Sequence, residues 1–585
     1  MVLAVQFGRV RGRLRLSRFH PGFSLGLAGA RSISGFELCL LLSIGAIALA
    51  TAVVALLAPP ADWDSMTCHM ARVAHWMQNR SVAFYPTSIL RQLHQNPWAE
   101  YAILHLQILS GSDGYASLVQ WFSMIGSLAG VSLIAMELGA GVRAQALAAL
   151  IAASIPMGVV QSSTTQNDYA VTLWLVCVVY FAAIWKRRPS RVTCAALGCS
   201  LGLAILTKAT AYVYAFPFVL ALFLVGVRRL RWAMWRPIAA IAAFVLLINF
   251  GHGLRNYALY ANPLGPGEEG AGFTYTNELL SVRGLSSNII RNTALHVGTP
   301  AKGANAVMEK AIVSLHSALG INASDRRTTF GGAQFHVPDF SFSAGTAGNP
   351  IHLLLVVVAL LMVAFASAMR KTRGLLAYAM TMVTAFMLFC FILKWQPWGS
   401  RLQLPLFVLW SPVIAIALLE AMDHRLVGAI AAVLLLLALR PVVPTAARSL
   451  LRGERLGLAS MQQYSAAWPD LMGPYGDAVT FIASLGECPR IGLLLEGNNS
   501  CEYPFWVLLK ARNPTVQIEH VGVTNVSAAL ARPIAPCIIV STIAMDDPEI
   551  VVDGRIYLRA WSPRGAVHVD VYSIAEDVFW GSTGG

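Results

Sequence analysis

Asp64 and Asp168 each stand where a polar loop meets a long apolar run, and Lys208, Arg255, Lys394 and Arg401 occupy borders of the same kind. Ionised side chains at that depth are costly and are often functional. A carboxylate there can take a proton from a hydroxyl, while fixed cations hold a phosphate or stabilise charge growing on a leaving oxygen. Arginine suits bidentate contact with such a phosphate, and lysine supplies a point charge. Each group also has a structural role open to it. Asp64 begins a helical pattern and serves equally as its cap, with Asp62 competing for either role. Asp168 can cap the run that follows Gln161-Ser162-Ser163-Thr164-Thr165-Gln166-Asn167, and a cation at a span end commonly snorkels to the interface. His69 and Glu100 join Lys394 as candidate substrate contacts. The spacing of His69 with His75, and of Glu100 with His105, does not place two ligands on one helix face, so no metal site is assigned and surface histidines are expected.

The elements that must position these groups belong to a membrane protein. Of the 585 residues, 56% are apolar and only 12% charged, with a mean hydropathy of +0.60; a soluble domain carries about 25% charge. Apolar runs near 36–58, 115–136, 144–163, 169–185, 192–207, 210–227, 237–254, 351–369, 375–393, 403–421 and 426–443 are read as spans, about eleven in all. The division around Thr207 and Lys208 is the weakest. The net charge of +14 sits in short clusters between spans: Arg9, Arg11, Arg13, Arg15, Arg18 and Arg31, then Lys186, Arg187, Arg188 and Arg191, then Arg228, Arg229, Arg231 and Arg236, then Arg370, Lys371 and Arg373. Clusters of this kind set orientation rather than bind nucleic acid. They put the N-terminus in the cytoplasm and the long segments on the opposite side.

The expected organisation is a basic cytoplasmic segment at 1–35, a transmembrane domain at 36–444 with outer loops 59–114 and 255–350, and an extracytoplasmic α/β domain at 450–585. In the first outer loop, Met66, Met70, Val73, Ala74 and Met77 recur at helical spacing with His69, Arg72 and Asn79 opposite, which suits a helix lying in the interface plane. A second such helix is expected from Pro97 to Leu109, roofing a cavity at membrane level. In the tail, 491–495, 516–518, 537–541 and 567–571 read as strands and 503–509 as a helix. Two of Cys488, Cys501 and Cys537 can be bridged if that domain is extracytoplasmic. No P-loop, GxSxG or HExxH pattern occurs, which argues against ATP-driven transport and the common membrane hydrolases.

Trp63-Asp64-Ser65-Met66-Thr67 through His75-Trp76, Thr165-Gln166-Asn167-Asp168-Tyr169, and Arg255-Asn256 followed by Tyr260-Ala261-Asn262-Pro263-Leu264-Gly265-Pro266 resemble the bacterial membrane glycosyltransferases of the GT-C superfamily. This group is related to the protein mannosyltransferases and to the lipid A aminoarabinose transferase. The resemblance covers about residues 36–421, and Glu502-Tyr503-Pro504-Phe505-Trp506 in the tail is similar too. It implies a polyprenyl-phosphate-linked sugar donor and an acceptor glycan, lipid or protein. It also implies inversion at the anomeric carbon, at the outer face of the cell inner membrane. By this resemblance Asp64 is the catalytic base and Asp168 the assisting carboxylate, with Lys208, Arg255 and Arg401 on the donor phosphate. Some relatives bind a divalent metal ion beside the first acidic residue; Asp64-Ser65 offers no acidic pair there. A transporter or flippase of lipid-linked glycan is the alternative. It is disfavoured because the charges sit at span ends on one face rather than in mid-span.

Overall fold

The computed structural model describes residues 33–267, 274–367, 369, 372, 374–452, 454, 457, 461–563 and 567–574. The basic segment before residue 33, and Arg370, Lys371 and Arg373, lie outside these.

The chain is a multi-pass membrane protein with a small sheet domain at its C-terminal end. Among the described residues, seven stretches are long and apolar enough to cross a bilayer, including Gly35–Leu57, Asp113–Glu137, Asp168–Arg187 and His424–Leu451. One of the seven, Thr210–Tyr260, holds two helices, Thr210–Leu230 and Trp235–Tyr260. Shorter apolar helices cover Val142–Ala153, Arg191–Thr207 and Pro350–Phe365. The first span opens with a capping box, Ser34 accepting from the Glu37 amide and Glu37 from the Ser34 amide, which satisfies two amides that the first turn leaves open.

Local chemistry explains where the spans break. The run expected at 144–163 stops at Ser154, and Pro156 begins a second helix, Pro156–Gln161, since proline fits a first turn but not a helix interior. The division at Lys208 is real. Its backbone is extended, with φ −161° and ψ 138°, so one helix ends there and another begins at Thr210. The Arg191–Thr207 helix is held against Trp235–Tyr260 at two glycines. A Cβ on Gly198 would stand 3.0 Å from the Cβ of Phe244, and one on Gly202 3.0 Å from Ile248 Cδ1. Small residues let the backbones approach, as apolar packing in lipid requires.

After Leu57 the first outer segment forms a π-helical turn, Ser65–His69, continuing into Met70–Asn79, and then Trp98–Ser110. Both helices lie where the periodicity put them. The expected solvent-facing side is corrected: His69, Arg72 and His75 are buried along with Met66 and Met70. Both faces are covered, because the 91–100 stretch and the C-terminal domain pack against the polar one. The long segment after Tyr260 carries Val282–Ala294 and Lys302–Ala318. It returns to the membrane body by pairing Thr276 with Leu393 and Thr329 with Trp395.

The C-terminal sheet has the order β2-β1-β3-β6-β5-β4. Strands β1 (Arg490–Leu494), β2 (Gln517–His520) and β3 (Ile538–Ser541) run parallel, with the Tyr503–Arg512 helix crossing from β1 to β2. Antiparallel β6 (Asp570–Ile574), β5 (Arg555–Trp561) and β4 (Glu549–Val552) complete it. The hairpin β4–β5 is an addition to the expected strands. Its turn is Asp553-Gly554, with φ 49° and 76°, the dipeptide that tolerates positive φ at both positions. Cys488 and Cys537 form the disulfide, and Cys501 stays free and buried.

Candidate active site

Asp62, Asp64 and Ser65 divide the helix start between them. The Asp62 carboxylate accepts from the Ser65 amide at 3.0 Å and from the Ser65 hydroxyl. It also receives Gln166 Nε2 at 3.2 Å. Capping is therefore the work of Asp62. Asp64 makes no cap hydrogen bond and is left to other partners. Ser65 Oγ in turn meets Thr165 Oγ1, so the segment holding Asp64 and the loop holding Asp168 are joined.

Asp64 is enclosed by two guanidinium groups. Arg401 Nη1 donates to its Oδ2, and Arg91 Nη1 lies 3.6 Å from its Oδ1. Only 17% of the Asp64 side chain is exposed. Burial opposes its ionisation, but the charge of Arg401, followed by His69 and Arg91, outweighs burial and holds the carboxyl well below the usual range. Arg401 comes from the short Gly399–Leu402 helix that leads into Leu404–Ala421.

Asp168 opens its span, and its Oδ1 accepts from Lys208 Nζ at 2.5 Å. Its second oxygen is buried without a partner. The two ion pairs share one field: Arg401 interacts with Asp168 and Asp62 as well as Asp64, and Lys208 with Asp64 and Arg401. Asp64, Asp168, Lys208 and Arg401 thus form a single charged cluster.

A second layer fixes the turn that carries Arg91. Arg72, fully buried, donates to the carbonyls of Gln92, Arg91 (2.9 Å) and Gln95 (3.0 Å), and its Nη1 reaches Glu100 at 3.3 Å. Glu100 also contacts His69 Nδ1 at 2.6 Å. Burial resists ionisation of Glu100, yet Arg72 and then His69 keep its pKa lowered. His69 and Glu100 therefore stand behind Arg91 as its support. The C-terminal domain reaches the same turn, since Asn498 O accepts from Arg91 Nη2 at 2.5 Å. Arg91 was not singled out in the sequence, and Arg72 was expected on the solvent-facing side of its helix. The fold turns both inward.

Two expected members are not brought into the cluster. Arg255 lies a turn inside a helix that runs on to Tyr260, where it donates to the Tyr101 hydroxyl. Lys394 pairs with Glu278 at 2.5 Å.

The charge pattern around Asp64 does not fit a divalent ion. One carboxylate already faces two guanidinium groups, and the neighbouring Asp62 is spent on Ser65. Metal-ligating atoms gather instead at His75, Glu502 and His520, all buried and within 4.8 Å of one another. There Glu502 accepts from Gln92 Nε2 at 2.6 Å and Trp506 Nε1 at 2.7 Å, and faces His75 Nε2 at 2.7 Å. Burial works against its charge, but His520 and then His75 hold its pKa well down. This knot ties the C-terminal domain to the Met70–Asn79 helix.

Residues 96–252 match the family model described as dolichyl-phosphate-mannose-protein mannosyltransferase. Among solved structures, ArnT from Cupriavidus metallidurans in the apo state aligns with a TM-score of 0.50 at 15% identity, over 93% of this chain and 99% of that one. The same protein bound to undecaprenyl phosphate gives 0.48 at 14% identity over the same shares. The Archaeoglobus fulgidus oligosaccharyltransferase tethered to an acceptor peptide gives 0.40 at 12% identity, over 83% and 64%. No curated protein matches the chain. The family match is confined to residues 96–252, and over most of its length the chain shares the fold of apo ArnT.

Proposed function

We propose that this protein is an inverting glycosyltransferase that moves a sugar from a polyprenyl-phosphate donor to an acceptor hydroxyl. It works at the extracytoplasmic face of the bacterial inner membrane, with its N-terminus in the cytoplasm and its C-terminal domain outside. The single observation that carries this reading is the Asp64–Arg401 pair, with Arg91 on the other carboxylate oxygen and the Asp168–Lys208 pair in the same field. A base and a cationic phosphate cradle are the two devices that this transfer needs, and a lipid-phosphate sugar is named in the matching family's description.

The acceptor hydroxyl loses its proton to Asp64 as its oxygen bonds to the anomeric carbon. The bond from that carbon to the donor phosphate breaks, and polyprenyl phosphate departs with the electron pair. Arg401, Arg91 and Lys208 take up the charge growing on the phosphate. Without donor, the same cations hold Asp64 ionised and weakly basic. An arriving phosphate competes for their hydrogen bonds, which relieves that restraint and makes Asp64 the stronger base. Asp168 keeps Lys208 in place. Among the described residues these groups lie at helix ends rather than in mid-span, which favours surface chemistry over transport.

The test is transfer by the full chain in reconstituted vesicles. We expect label from a radiolabelled polyprenyl-phosphate hexose or pentose to reach acceptor, and none from the matching nucleotide sugar. Use of the nucleotide sugar, or passage of intact labelled lipid across the bilayer without transfer, would contradict the proposal.

A further inference from the structure

The membrane border opposite the Asp64 cluster carries a second concentration of charge. Asp168 and Arg187 are the two ends of one 20-residue helix, about 30 Å apart at a rise of about 1.5 Å per residue. What gathers around Arg187 therefore lies a membrane's thickness from the site described above. Four cations stand at 186–191 and four more at 228–236, and all eight are exposed. Little opposes them. No Asp or Glu occurs between Asp168 and Glu268. Among the described residues only Glu137 is ion-paired to any of the eight, its carboxylate 3.1 Å from Arg187 Nη1.

The two turns form one surface. Arg229 Nη1 donates to the Lys186 carbonyl at 3.1 Å. Gly226 lets the packing beneath them close, since a Cβ there would stand 2.5 Å from Met234 Sδ and 3.2 Å from Trp185 Cη2. Amid these cations the chain presents an aromatic side chain outward. Arg231 holds φ 49°, and Trp232 after it is 94% exposed. Water penalises such a Trp, whereas the headgroup layer of a bilayer suits its apolar ring and polar N–H. Leu224, one turn before Arg228 on the same helix face, and Val227 are exposed as well. Apolar surface thus runs from the cations into the bilayer.

We infer that this patch binds an anionic phospholipid of the leaflet opposite the Asp64 cluster, its phosphate among the guanidinium groups, Trp232 in the headgroup layer and its chains along Leu224. Juxtamembrane cations are drawn to anionic leaflets. Here two separate turns are tied into a single surface, which the placement of charge for membrane orientation does not require. A soluble anion would meet the cations alone, so Trp232 and the apolar surface below it identify a lipid. The inference does not rest on the transferase reading.

The experiment titrates the full chain, in a neutral detergent, with dioctanoylphosphatidylglycerol, dioctanoylphosphatidylcholine or inorganic phosphate, and counts bound lipid by native mass spectrometry. Phosphatidylglycerol should bind more tightly than phosphatidylcholine, and inorganic phosphate at equal concentration should not displace it. Arg228→Gln combined with Arg231→Gln should weaken phosphatidylglycerol binding about thirtyfold, the equivalent of one juxtamembrane charge contact per arginine. Tm should not change, because both side chains are exposed. Trp232→Ala should weaken binding too. Arg283→Gln combined with Arg326→Gln removes equal charge, again exposed, from the outer loop at the other border and should leave binding unchanged. Wild-type affinity in the Arg228 and Arg231 double variant, or in Trp232→Ala, would overturn the inference. So would equal affinity for the two lipids, displacement by phosphate, or an equal loss in the Arg283 and Arg326 double variant, which would show attraction to net charge rather than a site.

Discussion

Arg401 donates through Nη1 to Oδ2 of Asp64, although 337 positions separate the two residues. The span Gly35–Leu57 and the helix start at Gly399 must therefore meet at one membrane border before the site exists.

Removing that cation should move the pH profile. Asp64 is held below the usual carboxylate range by Arg401 against the opposing effect of burial. In Arg401→Gln burial is less opposed, so the Asp64 pKa rises and the acid limb of kcat/KM shifts to higher pH by about 1–3 units. Arg401→Lys, which keeps the charge, should shift it less. An acid limb that stays where it was would show that Asp64 is not the titrating group.

Lys208→Gln should leave Asp168, already short of one hydrogen bond, with an uncompensated buried charge. The expected cost is about 3–5 kcal/mol, read as a lower Tm in detergent. The double variant with Asp168→Asn should recover most of the Tm without recovering transfer. Full recovery of both would remove the pair from the mechanism.

Glu502→Ala should unfasten the C-terminal domain from the Met70–Asn79 helix, since His75, Gln92, Trp506 and His520 all converge on that carboxylate. Its folded pKa is depressed, so its contribution to stability is present above the ordinary carboxyl pKa of about 4.3 and is lost as pH falls through the folded value. The wild-type Tm should drop on acidification below about pH 4, and the variant, starting lower, should drop less steeply. Parallel curves for the two proteins would count against this role.

Reduction of Cys488–Cys537 should destabilise the sheet domain by about 2–5 kcal/mol, with a lower protease threshold after residue 490. A thiol count on protein from intact cells should find the pair oxidised only if the domain faces an oxidising compartment. Finding both thiols free would contradict the extracytoplasmic assignment.

The membrane body was legible because lipid demands long apolar runs, and the break at Lys208 was legible because a charge interrupts one. Asp64, Asp168, Lys208 and Arg401 could be picked out as charges at span ends. Arg91 could not, since an arginine in a polar loop looks solvated until Asn498 covers it, and Arg72 was read as solvent-facing because the Trp98–Ser110 helix that meets it is distant in sequence. Arg255 meets Tyr101 rather than a carboxylate for a related reason. Position along a helix predicts depth in the membrane but not azimuth, and its helix turns it toward Tyr101. The β4–β5 hairpin left its mark in Asp553-Gly554 flanked by the apolar runs Ile550-Val551-Val552 and Ile556-Tyr557-Leu558, and the expected strands passed over it.

The proposed transfer turns on Asp64. The most direct measurement compares wild type with Asp64→Asn in vesicles, following both labelled-donor binding and transfer to acceptor. A base lost with its scaffold intact predicts a fall in kcat of about 10²–10⁴ with donor still bound, because Arg401, Arg91 and Lys208 remain. Transfer by Asp64→Asn at the wild-type rate would contradict it.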